Sequence, residues 1–172
     1  IGFKNGDPIS INKKKYSPSK LLEKLNSLAG KNGVGRVDLV ENRFIGIKSR
    51  GIYETPGGTV LMFAHRVMES ITLDKKIMHL KDKIMPRYAE LIYNGFWFSK
   101  ERLSLQKIID QKRTSVQGEV IIKLYKGNIS IVGRKSKKSI YSIKKSSFES
   151  GKLFSKKYVE NFIKVAAKKL RK

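Results

Sequence analysis

Two β-rich runs within residues 119–133 constrain the fold more than any other feature of the chain. They are joined by Gly127-Asn128, which is turn composition between β-branched segments. Such a short connection is a strong signal for a β-hairpin. Because the strands of a hairpin are antiparallel, the chain needs an antiparallel sheet to hold this one.

Residues 1–12 carry a second hairpin signal. Apolar and polar residues alternate there around Asn5-Gly6-Asp7-Pro8, and the inward candidates are Phe3, Ile9 and Ile11. Alternation with a period of two is typical of a half-buried strand. The sequence therefore predicts one hairpin in residues 1–12 and another in residues 119–133.

Several segments between the hairpins have apolar residues spaced three to four apart, which is the periodicity of an amphipathic helix. Proline after serine or threonine marks the start of two of them, since proline fits the first turn of a helix. The predicted helices extend from Ser17-Pro18 to Gly30, begin at Thr55-Pro56, run from Asp74 to Tyr93 around Pro86, and run from Ser99 to about Arg113.

Residues 34–47 are rich in β-branched side chains and predict extended structure, with Val37, Leu39, Phe44 and Ile45 on buried faces. Strands and helices are thus intermixed without a regular βαβ alternation. We expect an α+β fold, in which an antiparallel or mixed sheet with hairpins packs against several helices.

The last part of the chain predicts a loop and a terminal helix. Residues 134–152 are crowded with Lys and Ser and predict a hairpin edge or a solvated loop. The stretch from Ser155 to Lys172 has apolar residues at helical spacing opposite a basic face. That apolar stripe could pack on its own domain, on a neighbouring subunit or on a membrane surface. We expect one domain over residues 1–152 and a protruding helix over residues 153–172.

Composition excludes some classes of protein. The chain has no cysteine, so it has no disulfide framework, in agreement with a cytoplasmic location. No apolar run approaches the roughly 18 residues that span a bilayer. The first residue is Ile1, and neither an initiator methionine nor a signal-peptide pattern is present, so we expect a fragment of a longer protein.

The formal net charge of +24 raises the possibility of nucleic-acid binding. However, 29 of the 38 basic residues are lysine, and they are spread along the whole chain. Bidentate recognition of phosphates and bases favours arginine instead. We therefore expect solvated lysine surfaces and no nucleic-acid partner. A non-catalytic basic binding or oligomerisation module remains the alternative.

Residues 35–58 hold the densest group of side chains able to do chemistry. A carboxylate such as Glu41 accepts hydrogen bonds from an α-ammonium or a urea-like N–H, and a phenol such as Tyr53 donates or accepts beside it. Together they suit a zwitterionic amino acid. The residues alone favour another interpretation, in which Glu41, Arg43 and Arg50 form a structural ion network and Tyr53 belongs to the core.

Other catalytic signatures are missing from the chain. It contains no phosphate-binding glycine loop, no Gly-x-Ser-x-Gly and no His/Cys spacing for a metal. His65 and His79 lie on separate predicted helices, so we expect structural or exposed roles for both. Trp97, within Gly-Phe-Trp-Phe, is predicted to lie in the core. We expect no catalytic proton-transfer residue and no metal site.

Longer motifs are far more specific. The run Val40-Glu-Asn-Arg-Phe-Ile-Gly-Ile-Lys-Ser-Arg-Gly-Ile-Tyr-Glu-Thr-Pro-Gly57 resembles the signature of argininosuccinate synthases. Tyr88-Ala-Glu-Leu-Ile-Tyr-Asn-Gly-Phe-Trp-Phe-Ser99 and Leu124-Tyr-Lys-Gly-Asn128 are also similar to that family. The resemblance extends over nearly all 172 residues.

The resemblance implies an ATP-dependent ligase that condenses citrulline with aspartate to give argininosuccinate, AMP and pyrophosphate, with magnesium accompanying the ATP. Glu41 and Tyr53 match citrulline-binding residues of the family. ATP and aspartate would be bound by an amino-terminal domain with a Ser-Gly-Gly-Leu-Asp-Thr-Ser loop, which does not occur in these 172 residues. The resemblance also implies a homotetramer assembled through the carboxy-terminal helix, and an isolated chain without activity.

Overall fold

The computed structural model describes residues 1–142 and 156–168. The chain forms two compact units, Ile1–Ile140 and Tyr141–Lys172. In chain order the elements are β1 (Gly2–Lys4), β2 (Asp7–Ile11), β3 (Lys14–Lys15), α1 (Pro18–Gly30), β4 (Arg36–Asn42), β5 (Lys48–Glu54), α2 (Pro56–Thr72), α3 (Lys75–Tyr93), α4 (Lys100–Asp110), a short 3-10 turn (Arg113–Ser115), β6 (Gly118–Tyr125), β7 (Asn128–Lys135) and α5 (Lys156–Lys168).

Five strands form an antiparallel sheet in the order β3-β2-β1-β6-β7. The predicted α+β fold is therefore confirmed, and so are both hairpins. The central strand β1 pairs with β2 next to it in the chain and with β6 more than a hundred residues later. The first strand is thus held in place by two partners of very different sequence separation.

The two hairpin turns use the same backbone geometry. Asn5 and Gly6 have φ of 51° and 82°, and Lys126 and Gly127 have φ of 44° and 82°. Positive φ at both central residues is the type I′ arrangement that matches the twist of the strands. The second turn is therefore centred one residue earlier than the sequence predicts, and Asn128 is the first residue of β7.

Helices α1 and α2 pack against one face of this sheet. Val120 of β6 is buried beside Met68 and Ile71 of α2, whereas Ile121, the next residue along the strand, is 59% exposed. A second group of buried residues joins α1 to α2 and β2. It comprises Ile11, Leu21, Leu25, Ala29, Val34 and Val60. One covered face and one open face give the alternation expected of such a sheet.

Helices α3 and α4 extend from this core. Asp74 caps α3 by accepting hydrogen bonds from the backbone N–H groups of Lys76 and Ile77, at 3.0 and 3.1 Å. The helix runs without interruption through Pro86. Ser99 caps α4, which ends at Asp110 and not at Arg113, because a 3-10 turn follows.

Strands β4 and β5 form a separate two-stranded sheet. The side chains predicted to be buried there are exposed: Val37 by 41%, Leu39 by 38%, Phe44 by 68% and Ile45 by 77%. That prediction is wrong because apolar alternation fixes which residues share a face but not whether another layer of the chain covers it.

The second unit contains α5. The helix predicted for the end of the chain is confirmed over Lys156–Lys168. It places Tyr158, Val159, Phe162 and Ile163 on one face, with Glu160 and Lys164 paired at 2.5 Å on the other. The hairpin edge or loop predicted over residues 134–152 lies partly outside the described residues. Its first residues, 134 and 135, end β7, which is an edge strand of the sheet.

Candidate functional site

The register of β4 and β5 puts Glu41 and Tyr53 on the same face of their hairpin. Glu41 lies opposite Ser49, and Tyr53 lies opposite Val37. Because Val37 and Glu41 are four residues apart, they share a face and are separated by about 13 Å along the strand. A tyrosine must therefore lie along the hairpin to reach this glutamate.

Gly51 makes that conformation of Tyr53 possible. It lies on β5 between Ser49 and Tyr53, on the face that they share. A Cβ atom at Gly51 would come within 2.7 Å of Cζ and of the hydroxyl oxygen of Tyr53. With no side chain there, the ring lies over the backbone, and its hydroxyl donates to Oε1 of Glu41 at 2.5 Å. A hydroxyl-to-carboxylate bond of this length is charge-assisted.

Two further side chains reach the Glu41 carboxylate. The Arg43 guanidinium pairs with Oε1 at 3.0 Å and donates through Nε to Ser49 at 2.7 Å. The hydroxyl of Tyr93, the last residue of α3, donates to Oε2 at 3.2 Å. The Glu41 side chain is only 13% exposed although the hairpin around it is open. An ionised carboxylate offers roughly four acceptor positions, so these three donors leave about one for a ligand.

These contacts keep Glu41 ionised. The Tyr53 hydrogen bond lowers the pKa of the Glu41 carboxyl most, and Tyr93 and Arg43 lower it further. The same hydrogen bond raises the pKa of the Tyr53 phenol. The site therefore holds an ionised carboxylate between the Tyr53 and Tyr93 hydroxyls and beside the Arg43 guanidinium, and its open acceptor position suits a ligand with a charged or polar N–H.

The structure separates the ion network that the sequence alone suggests. Arg50 donates to both carboxylate oxygens of Asp38, at 2.8 and 2.5 Å, on the face opposite Glu41. Arg43 does pair with Glu41. Tyr53 is 40% exposed and is not a core residue. The Glu41 cluster is thus distinct from the Asp38–Arg50 pair behind it.

Sequence reasoning missed Tyr93 as a member of this cluster. It lies 52 residues after Glu41, on a helix whose other residues give no sign of where its carboxyl end points. A cavity of about 470 Å³ adjoins the cluster, and its lining includes both Arg43 and Tyr93. The other lining residues are Phe44, Ile45 and Ile47, at the tip of the hairpin.

The remaining polar candidates lie elsewhere. His65 stacks edge-on against Phe3 at 5.7 Å and lies 3.4 Å from Glu69, whereas His79 is exposed on α3. Trp97 is 48% exposed with the Arg102 guanidinium 4.6 Å from its ring, so its predicted core position is wrong. Across residues 1–142 and 156–168, no group of three or more His, Cys, Asp or Glu residues could hold a metal. No helix in these ranges has the length and apolarity to cross a membrane.

The fold and the Glu41 cluster define an α+β domain with an ionised carboxylate on an exposed hairpin, set between Tyr53 of that hairpin and Tyr93 of α3. Comparison with known proteins identifies the family. Residues 1–172 match the model of the arginosuccinate synthase C-terminal domain, and the chain belongs to this family.

Full-length relatives carry the same name. The chain is 68% identical over 171 residues to an argininosuccinate synthase from Pelagibacter ubique, covering 99% of the chain and 43% of the relative. It is 54% identical to that of Rhodospirillum rubrum and 58% identical to that of Brucella anthropi, each over 42% of the relative. The chain thus spans less than half the length of these three relatives, each of which is named argininosuccinate synthase.

Proposed function

We propose that this chain supplies the citrulline site of an argininosuccinate synthase. The observation that carries the proposal is the Glu41 carboxylate, which Tyr53 and Arg43 fix at Oε1 while part of its acceptor capacity stays open. Citrulline presents an α-ammonium and urea N–H groups, and both kinds of donor fit an ionised carboxylate. Membership of the family supports the assignment of this ligand.

The reaction we propose for the full enzyme takes place in two steps. ATP first adenylates the ureido oxygen of citrulline and releases pyrophosphate, which turns that oxygen into a leaving group. The aspartate amine then attacks the ureido carbon and displaces AMP, giving argininosuccinate. Glu41 and Tyr53 act by binding and orienting citrulline and not by proton transfer, so their contribution is proximity and orientation.

We attribute the contacts to ATP, its magnesium and aspartate to an amino-terminal domain of the full enzyme. These 172 residues contain no Ser-Gly-Gly-Leu-Asp-Thr-Ser loop. We also propose that the enzyme is a cytoplasmic homotetramer in which the apolar face of α5 contacts another subunit. On this proposal the 172-residue chain alone forms no argininosuccinate from citrulline, aspartate and ATP.

The Glu41→Gln variant of the full-length enzyme tests the citrulline site. Glutamine keeps the shape of the side chain but removes its charge, so we expect the Michaelis constant for citrulline to rise about 10- to 100-fold, the range for a hydrogen bond to a charged group. The Michaelis constant for ATP should stay within about twofold, because Glu41 is proposed to contact citrulline and not ATP. Steady-state kinetics with each substrate varied in turn measures both.

Asp38→Asn is the matched control. It makes the same chemical change on the same hairpin but on the face opposite Glu41, where Asp38 pairs with Arg50. Its kinetics should resemble those of the unaltered enzyme. Unchanged citrulline Michaelis constant and turnover in Glu41→Gln, or an equal effect of both variants, would contradict the proposed site.

A further inference from the structure

Tyr93 is the point where a distant helix reaches the Glu41 cluster. It is the last residue of α3, and its hydroxyl donates to Oε2 of Glu41, whereas Tyr53 and Arg43 both contact Oε1. The terminal torsion of a glutamate is broad and roughly two-fold, so contacts to one oxygen alone leave the carboxylate plane poorly fixed. A donor on the second oxygen sets the plane.

The part of the chain that carries Tyr93 is itself firmly held. Leu91 is 4% exposed, and its carbonyl accepts a hydrogen bond from the N–H of Phe96 at 2.8 Å, which closes the turn after α3. Arg102 of α4 then donates to the carbonyl of Trp97 at 2.7 Å. Tyr93 therefore projects from a junction whose position is fixed by the helices and not by the hairpin.

A second contact joins the same junction to the hairpin. The rings of Phe44, in the turn between β4 and β5, and Phe96 meet edge to face, with centroids 6.0 Å apart and planes at 79°. Aromatic pairs favour this geometry. The outer end of an exposed two-stranded hairpin is thus connected to the α3–α4 junction by one polar and one aromatic contact.

We propose that Tyr93 is a positioning residue for citrulline, which it serves by fixing the Glu41 carboxylate from outside the hairpin. This inference rests on the proposed function. Tyr93 acts through Glu41 and has two effects on it. It orients the second carboxylate oxygen, and its hydrogen bond favours the ionised form of Glu41.

The test uses Tyr93→Phe in the full-length enzyme, because phenylalanine keeps the ring and removes only the hydroxyl. We expect the citrulline Michaelis constant to rise about tenfold, equivalent to about 1.4 kcal/mol. The Michaelis constant for ATP should stay within about twofold, as expected when the binding of a single ligand is affected. Tyr88→Phe is the control, since it removes a hydroxyl on the same helix that donates to Gln106 and not to Glu41.

The pH dependence separates positioning from a purely structural role. Tyr93 lowers the pKa of Glu41, so its removal raises that pKa, and more Glu41 is protonated at a given acidic pH. The acid limb of kcat/KM for citrulline reports groups of the free enzyme, and it should move to higher pH in Tyr93→Phe but not in Tyr88→Phe.

Each result decides the matter. If Tyr93→Phe leaves the citrulline Michaelis constant and the acid limb unchanged while Tyr53→Phe alters them, Tyr93 is not a positioning residue and the proposed function stands. Equal losses in Tyr93→Phe and Tyr88→Phe, accompanied by a lower melting temperature, assign Tyr93 a structural role and overturn the inference. If Glu41→Gln and Tyr53→Phe also have no effect, the proposed function fails as well.

Discussion

At Gly51, the missing side chain decides where Tyr53 lies. A Cβ atom there would come within 2.7 Å of the Tyr53 hydroxyl oxygen, which is too close for two non-bonded atoms. Alanine would otherwise favour an extended strand over glycine, because glycine loses more backbone entropy on folding. Glycine at position 51 therefore lowers the strand propensity, but it allows the Tyr53 ring to reach Glu41.

We therefore expect Gly51→Ala to displace Tyr53 from Glu41 and to raise the citrulline Michaelis constant of the full-length enzyme about tenfold, as loss of a charge-assisted hydrogen bond would. Gly58→Ala is the control. Apart from its chain neighbours and the backbone of its own helix, no atom lies within 4 Å of a Cβ at Gly58, in the first turns of α2, so kinetics should not change. A normal Michaelis constant in Gly51→Ala would mean that the Tyr53 hydrogen bond does not contribute to citrulline binding.

At the scale of single residues, the sequence predicts only part of the site. The resemblance singles out Glu41 and Tyr53, and the structure joins them by a hydrogen bond, although their citrulline role stays a prediction. Tyr93 could not be predicted, because its contact depends on the direction of a 19-residue helix. The predictions that Phe44 and Trp97 are buried are wrong for a similar reason, since periodicity does not specify what lies above an apolar side chain.

At the scale of elements, Glu69 on α2 forms a buried ion pair with Lys81 on α3. The two side chains are 4% and 14% exposed. Glu69 also lies 3.4 Å from His65 and 3.6 Å from Arg66. Helix positions were predictable from Ser17-Pro18, Thr55-Pro56 and Ser99, but this pairing was not, because it depends on how α2 and α3 pack.

Removing Lys81 leaves the buried Glu69 carboxylate with only its longer contacts to His65 and Arg66, so most of the compensation for its charge is lost. We expect Lys81→Met to lower the free energy of unfolding by about 3 kcal/mol in urea denaturation. The double variant Lys81→Met with Glu69→Leu should recover most of this loss, since two apolar side chains replace the pair. Lys164→Met should cost less than about 0.5 kcal/mol, because the Lys164–Glu160 pair is exposed. Equal effects of the two single variants would contradict a role for burial.

At the scale of the whole molecule, we propose that subunits assemble through the apolar face of α5. In the full-length protein, Phe162→Glu introduces a charge on that face and should reduce the molar mass of the assembly measured by light scattering, because an unpaired buried charge is costly. Lys157→Glu introduces the same carboxylate on the polar side of the helix and should leave the mass unchanged. An unaltered mass in Phe162→Glu would remove α5 from the subunit interface.

The position of β1 in the sheet has a consequence for the order of events during synthesis. Gly2 pairs with Glu119, so the slot between β2 and β6 is completed only after 117 further residues have been made. At a translation rate of about 5–20 residues per second, that takes roughly 6 to 23 seconds. Over this interval β1, β2 and the two-residue β3 form at most a small meander on a nascent chain, and so small a sheet is marginally stable in water. The apolar faces of α1 and α2 emerge in the meantime before β6 and β7 have been made, so protection of the unfinished chain is needed most in those seconds.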